Sequence, residues 1–206
     1  MIIKKIYRRI WSILINTRIK YGKLYIFKIK LETNQHPKIK NKIELANSIE
    51  DLHEIIQERG NDFKKMYEKW LLKGYICFLS KNEKSTIGIV WLNNTNMVPL
   101  EFCYKQKLKN SSEAGLIDAY VLKEKRGKGV YKTIWNEALN EAQRLGIKTL
   151  YGYILNNNIR SIKVHFKLGM KDVYQILYYI RILWFNLYFK KKFRNLKDIS
   201  LLKKFE

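Results

Sequence analysis

The sequence predicts a three-layer α/β or α+β domain, and three observations carry that prediction. Apolar runs of strand length alternate with segments whose apolar residues recur at helical spacing. Glycines close most of the predicted helices. The stretch from Gly115 to Leu155 reads strand, glycine loop, helix, strand, which is the crossover that joins a parallel pair.

Taken in order, Lys23 to Leu31 alternates as a strand until His36-Pro37 breaks it, and Lys42 to Ala46 reads as a second, short strand. Ser48-Ile49-Glu50-Asp51 resembles a capping box, opening a helix with Ile49, Leu52, Ile55 and Ile56 on one side and Gly60 at its end. Asp62 to Leu72 makes another helix, stopped by Gly74. Tyr75 to Leu79 and Thr86 to Leu92 form a hairpin across Lys81-Asn82-Glu83-Lys84, and Pro99 to Tyr104 extends the sheet. After the strand Gly115 to Leu122, Tyr131 to Leu145 is a helix that buries Ile134, Trp135, Ala138, Leu139, Ala142 and Leu145. Thr149 to Leu155 is a strand, Asn158 to Leu168 a short helix before Gly169, and the chain returns to strand from Asp172. Gln175 to Phe189 is too short to span a bilayer, so it reads as a buried strand followed by an interfacial segment.

Composition narrows the function. A net charge of +23 favours phosphates, anionic lipid or nucleic acid as partners. Cys77 and Cys103, with His36, His53 and His165, show no metal-ligand spacing, so no zinc site and no disulfide scaffold is implied. A reducing, cytoplasmic compartment follows as the expectation.

The charge is concentrated at the ends. Residues 1–30 hold nine basic residues and no acid, and residues 190–206 carry a net +5. On a helical wheel the first 14 residues put Ile2, Ile3, Ile6, Ile10, Ile13 and Leu14 on one arc and Lys4, Lys5, Arg8 and Arg9 on the other. Such a helix either lies on an anionic membrane surface, through residues 1–20 together with the C-terminal tail, or docks its apolar face on the domain. The layout expected is a basic amphipathic leader and first strand over 1–40, the domain proper over 41–189 and a basic tail over 190–206.

The most specific segment is Val121-Leu122-Lys123-Glu124-Lys125-Arg126-Gly127-Lys128-Gly129-Val130-Tyr131. A strand ends, two glycines let the backbone approach a ligand, and a helix begins with its amides and positive dipole end facing the loop, which suits a di- or triphosphate. The P-loop pattern is absent, and Lys132 replaces the last glycine of a dinucleotide fingerprint.

Read together, Arg126-Gly-Lys-Gly-Val-Tyr131 and the downstream run from Asn158 through Ser161 and His165 to Gly169-Met170 resemble the GNAT superfamily of acyl-CoA N-acyltransferases. Its signature pairs an [RQ]-x-x-G-x-[GA] loop with an N-x-x-[AS]-x-x-x-[YH]-x-x-x-G-[FM] helix. The resemblance is centred on residues 113–175. It implies a mixed, mostly antiparallel central sheet flanked by helices and splayed between the strands ending at Val121 and starting at Thr149. It further implies acetyl-CoA as the acyl donor, no metal, and transfer to a primary amine by direct attack in a ternary complex.

The resemblance also implies residue roles. Amides near Val121, Leu122 and Lys123 would bond the pantetheine arm, and those of Arg126, Gly127, Lys128, Gly129, Val130 and Tyr131 the pyrophosphate. Tyr131 departs from the pattern, standing where Gly or Ala is usual. Asn158 contacts the pantetheine or caps its helix, and His165 stands where a tyrosine often protonates the departing thiolate, or else packs beside the cofactor. For the base, Asp118 is the first candidate: it alternates with Tyr120 on one strand face, with Glu101 and Glu113 nearby in sequence. The acceptor expected is an amino sugar or other anionic or membrane-linked amine. The alternative is a basic nucleic-acid- or membrane-binding protein on an inactive scaffold of the same fold.

Overall fold

The computed structural model describes residues 20–31, 44–83, 85–99, 105–169, 173–182 and 185–192. The amphipathic leader and most of the basic tail lie outside these residues, as do Glu101, Cys103 and His36. The chain divides into two compact units, residues 28–153 and residues 1–27 with 154–206, and the division falls inside two strands.

The larger unit begins with the end of β1 (Lys20–Lys30), followed by β2 (Glu44–Leu45). A 3-10 turn, Glu50–Leu52, leads into α1 (His53–Arg59), and Gly60, with φ of 95°, separates α1 from α2 (Asn61–Leu72). The capping box is realised only in its returning half. Ser48 does not cap; the Asp51 carboxylate instead accepts from the amides of Asn47 at 2.9 Å and Ser48 at 3.2 Å. The hairpin β3 (Ile76–Asn82) and β4 (Ser85–Asn93) is present as predicted. β5 (Met97–Pro99) pairs with β6 (Lys105–Lys107) as a separate ribbon, and all but the first residue of the strand predicted from Pro99 to Tyr104 lies outside the described residues.

β7 (Glu113–Val121) then runs into the glycine loop, α3 (Val130–Arg144) and β8 (Thr149–Leu155). Strand order in this unit is β8-β7-β4-β3-β2, antiparallel except for β7 and β8. The parallel register runs from Glu113 opposite Thr149 to Leu116 opposite Gly152 and stops, while β7 continues to Val121. Beyond that point the Tyr153 hydroxyl donates to the Ile117 carbonyl at 3.1 Å. The two strands therefore part where the family resemblance implies a splay. Helices α1 and α3 both pack on β4, whose Ile89, Val90, Trp91 and Leu92 are fully buried.

Five of the six residues predicted for the buried side of α3 are buried; Leu145 is not. It follows the helix, donating its amide back to Glu141, and Gly146, at φ of 79°, turns the chain, so the side chain faces solvent. One close approach was not legible in the sequence. A Cβ on Gly115 of β7 would stand 2.4 Å from Val98 Cγ1, so only glycine lets β5 lie against that strand.

The smaller unit holds the start of β1, the end of β8, α4 (Ile159–Lys167), β9 (Val173–Ile182) and β10 (Phe185–Lys192). Its sheet is β1-β9-β10, all antiparallel, with Phe27 edge-on to Phe166 of α4 at 6.4 Å. The apolar stretch predicted as a strand and an interfacial segment is thus two paired strands, because Ile182 and Phe185 bracket a reversal of direction.

Candidate functional site

The site is built where β7 ends. Gly127 and Gly129 both adopt φ of 79°, a left-handed conformation open to glycine at little cost, and no atom lies within 4 Å of where a Cβ would be. Gly129 is the N-cap of the 15-residue α3, with no side-chain cap and no acid in the first turn. The amides of Gly127, Lys128, Gly129 and Val130 have no acceptor among the described residues. Such a row of open donors at a helix N-terminus, beside exposed Lys128, suits a pyrophosphate.

Other amides predicted to bind donor are already engaged. That of Leu122 donates to the Ile87 carbonyl at 3.0 Å, and that of Arg126 to Lys123 at 3.3 Å in a 3-10 turn, Lys123–Lys125. That of Lys123 donates to both Glu58 carboxylate oxygens, at 3.2 and 3.3 Å. Arg126 turns its side chain back, Nε donating to the Val121 carbonyl at 3.0 Å and the guanidinium lying 5.1 Å from the Tyr120 ring centre. Beneath the loop, a Cβ on Gly88 of β4 would meet Val130 Cγ1 at 3.1 Å and Val121 Cγ2 at 3.3 Å. Gly88 thus lets β4 come up under the start of α3, a role with no local mark in the pattern of residues. The Tyr131 ring lies 5.8 Å from that of Trp135, and burial, with the charge of Asp118, pushes its phenol well above the ordinary range.

Asp118 and Tyr120 share a face, as their spacing predicts, and each meets the C-terminal end of α1. Asp118 Oδ2 accepts from Arg59 Nη1 at 2.5 Å and from the Tyr67 hydroxyl at 2.7 Å, while Arg59 also donates to the Tyr67 oxygen. The Arg59 guanidinium packs 3.6 Å from the Phe63 ring centre and 4.6 Å from that of Tyr120. The Tyr67 ring stacks on Trp91 at 5.3 Å. Burial, then the Asp118 charge, pushes the Tyr67 phenol far up, so it stays a donor. The Tyr120 hydroxyl donates to Glu58, and that bond, against slight burial, holds the Glu58 carboxyl below its usual range. Holding two donors, one of them a guanidinium, Asp118 Oδ2 serves first to neutralise Arg59. Glu113, buried on β7, accepts from the Lys109 amide at 2.8 Å and the Tyr151 hydroxyl at 3.1 Å. Glu58, Arg59 and Tyr67 were not predicted, because their meeting with β7 depends on tertiary placement and leaves no local pattern.

Asn158 and His165 lie in the smaller unit. Asn158 caps α4, its Oδ1 accepting from the Ser161 amide at 3.1 Å. His165 Nδ1 lies 2.8 Å from the Ser161 carbonyl oxygen and 3.2 Å from Ser161 Oγ. A carbonyl only accepts, so Nδ1 carries the proton of the neutral ring. Burial lowers the His165 pKa, opposed by that bond. The unfolded chain therefore takes up this proton first on acidification, near pH 6.5, and stability is lost as pH falls from there toward the lower folded value. Thermal melts from pH 8 to pH 5 should show a falling Tm, and His165→Phe should flatten that slope. An unchanged slope would show that His165 does not titrate differently on folding.

Among the described residues, no group of three or more His, Cys, Asp or Glu stands together as metal ligands, and no helix is long and apolar enough to cross a membrane.

Comparison with known proteins identifies the family. The family model for the Acetyltransferase (GNAT) domain matches residues 30–171, well over half of the chain. No curated protein matches. Among solved structures, a GNAT-assigned protein from Novosphingobium aromaticivorans DSM 12444 is similar at 11% identity with a TM-score of 0.52, over 80% of this chain and 63% of its own. The aminoglycoside 6'-N-acetyltransferase AAC(6')-IG from Acinetobacter haemolyticus is similar at 19% identity and TM-score 0.50, over 74% of this chain and 99% of its own. A conserved protein of unknown function from Staphylococcus epidermidis ATCC 12228 has 12% identity and the same TM-score, over 89% of this chain and 67% of its own. At these identities the structures speak to fold, and the family match speaks to activity. The chain belongs to the GNAT family of acetyl-CoA-dependent N-acetyltransferases.

Proposed function

We propose that the chain moves an acetyl group from acetyl-CoA to a primary amine on an anionic or membrane-linked carrier, an amino sugar on a nucleotide or lipid being the class that fits best. The observation that carries the donor half is the row of open amides from Gly127 to Val130, which contains two left-handed glycines. Bound there, the donor supplies an activated thioester. The chain's part is to hold it and to leave the amine neutral when it attacks, so no protein nucleophile is needed.

Within this reading, the backbone from Val121 to Tyr131 holds the donor, the engaged amides of Leu122, Lys123 and Arg126 shaping the loop and those of Gly127 to Val130 meeting phosphate. Asn158 fixes the start of α4. His165 protonates the departing thiolate only as imidazolium, a form that burial disfavours, so its contribution grows toward acid pH. Asp118 orders Arg59 and Tyr67, and the proton of the amine leaves through water or through its second oxygen. The acceptor half rests on charge. A surface of +23 draws anionic carriers and repels polycations.

Thiol release from acetyl-CoA tests both halves. Turnover should be amine-dependent, and kcat/KM for a nucleotide-linked amino sugar should exceed that for spermidine by about tenfold or more, the advantage shrinking with added salt. Equal or reversed preference would overturn the acceptor class. At pH 6, His165→Phe should lower kcat while acetyl-CoA affinity stays the same; unchanged kcat would remove His165 from the reaction.

A further inference from the structure

The outer strands of the smaller unit carry an exposed apolar face that acetyl transfer does not use. β10 is the edge of the β1-β9-β10 sheet. Registered residues share a face, and two adjacent rows across the three strands are Tyr21, Ile180, Leu187 and Lys23, Tyr178, Phe189. Tyr21 is 82% exposed, Leu187 51% and Phe189 57%, with Tyr178 and Ile180 partly exposed between them. In the next row Tyr25 and Ile176 are buried, so the exposed face stops there, and the row ends at the exposed Lys191; Lys23 lies 5.4 Å from the Tyr178 ring centre. The three strands contain no Asp or Glu.

An aromatic and aliphatic face rimmed by lysines combines the two attractions of an anionic bilayer interface: apolar side chains enter the headgroup boundary while ammonium groups meet lipid phosphates. The other occupants fit less well. A second copy would bring an equally basic face against this one, and the lysines of β10 oppose edge-to-edge pairing. Residues 1–19, which precede β1 in the chain, are themselves basic with no acid. Nucleic acid would satisfy the lysines but gain nothing from Leu187 or Ile180.

We propose that Tyr21, Tyr178, Ile180, Leu187 and Phe189, with Lys23 and Lys191, form a docking surface for anionic lipid. This inference stands apart from the acetyl-transfer reading, since no residue of the donor loop enters it. The test is cosedimentation of the full chain with vesicles of phosphatidylcholine alone or mixed equally with phosphatidylglycerol, comparing wild type with a Leu187→Ser/Phe189→Ser variant. Wild type should bind the mixed vesicles and not the neutral ones. The variant should bind about tenfold or more weakly, with its Tm in the absence of lipid unchanged. Equal binding by the two proteins would overturn the proposal and leave lipid attraction to the termini. A variant with lowered Tm and undiminished lipid binding would show that the face is covered from within, by residues 1–19. A change of oligomeric state in the variant, or single-stranded RNA binding that the variant loses while vesicles are ignored, would assign the face to a second copy or to nucleic acid.

Discussion

Asp118→Ala should lower Tm by about 6 to 12 °C, the largest stability effect of any substitution around the site. The Arg59 and Asp118 side chains are only 13% and 15% exposed, so removing the carboxylate leaves a guanidinium largely out of water with no counter-charge. Breaking a buried pair from one side costs roughly 3 kcal/mol or more, and each kcal/mol moves Tm by about 2 to 4 °C in a domain of this length. The Tyr67 hydroxyl loses its acceptor as well. A double variant, Arg59→Met/Asp118→Leu, should recover much of the loss, because it removes the unpaired charge rather than the pair alone. Tm and kcat measured together on Asp118→Ala separate two roles. A fall in Tm with turnover retained identifies an anchor; an unchanged Tm with turnover reduced a hundredfold identifies the base.

Gly129→Glu should weaken acetyl-CoA binding with much less effect on the fold, raising Kd by about two orders of magnitude in calorimetry. Three effects add. Gly129 has φ of 79°, which a side-chain-bearing residue adopts only under strain. The new carboxylate stands at the N-cap of α3, where it competes for the amides that phosphate would use. Its charge also repels the pyrophosphate. A Cβ at this position meets open space, so packing is undisturbed. Retained affinity in a folded variant would move the donor away from this loop. Gly88→Val is expected to act on the same loop from below, by displacing Val130.

The parts of this fold legible in the sequence are those governed by local rules. Gly127 and Gly129 declared a tight loop because few other residues sit at positive φ, and the periodicity from Ile134 to Ala142 declared the buried side of α3. Asn158 announced a cap by type and place. Local pattern carries no sign of what tertiary contact decides. Leu145 kept the helical period but fell past the helix end, and Gln175 to Phe189 concealed a reversal because both strands are apolar and no Gly or Pro marks the turn. Asp118 and Tyr120 were correctly placed on one face, yet their partners Arg59 and Glu58 are about sixty positions away and could not be inferred from spacing. Gly88 and Gly115 looked like ordinary strand glycines, and only the closeness of Val130 and Val98 explains them.

A thermal melt of the full chain with and without acetyl-CoA tests the donor site most directly. At a ligand concentration about 100 times its dissociation constant, binding contributes roughly 2.7 kcal/mol, so Tm should rise by about 5 to 10 °C. No rise at millimolar acetyl-CoA would contradict a donor site between β7 and α3.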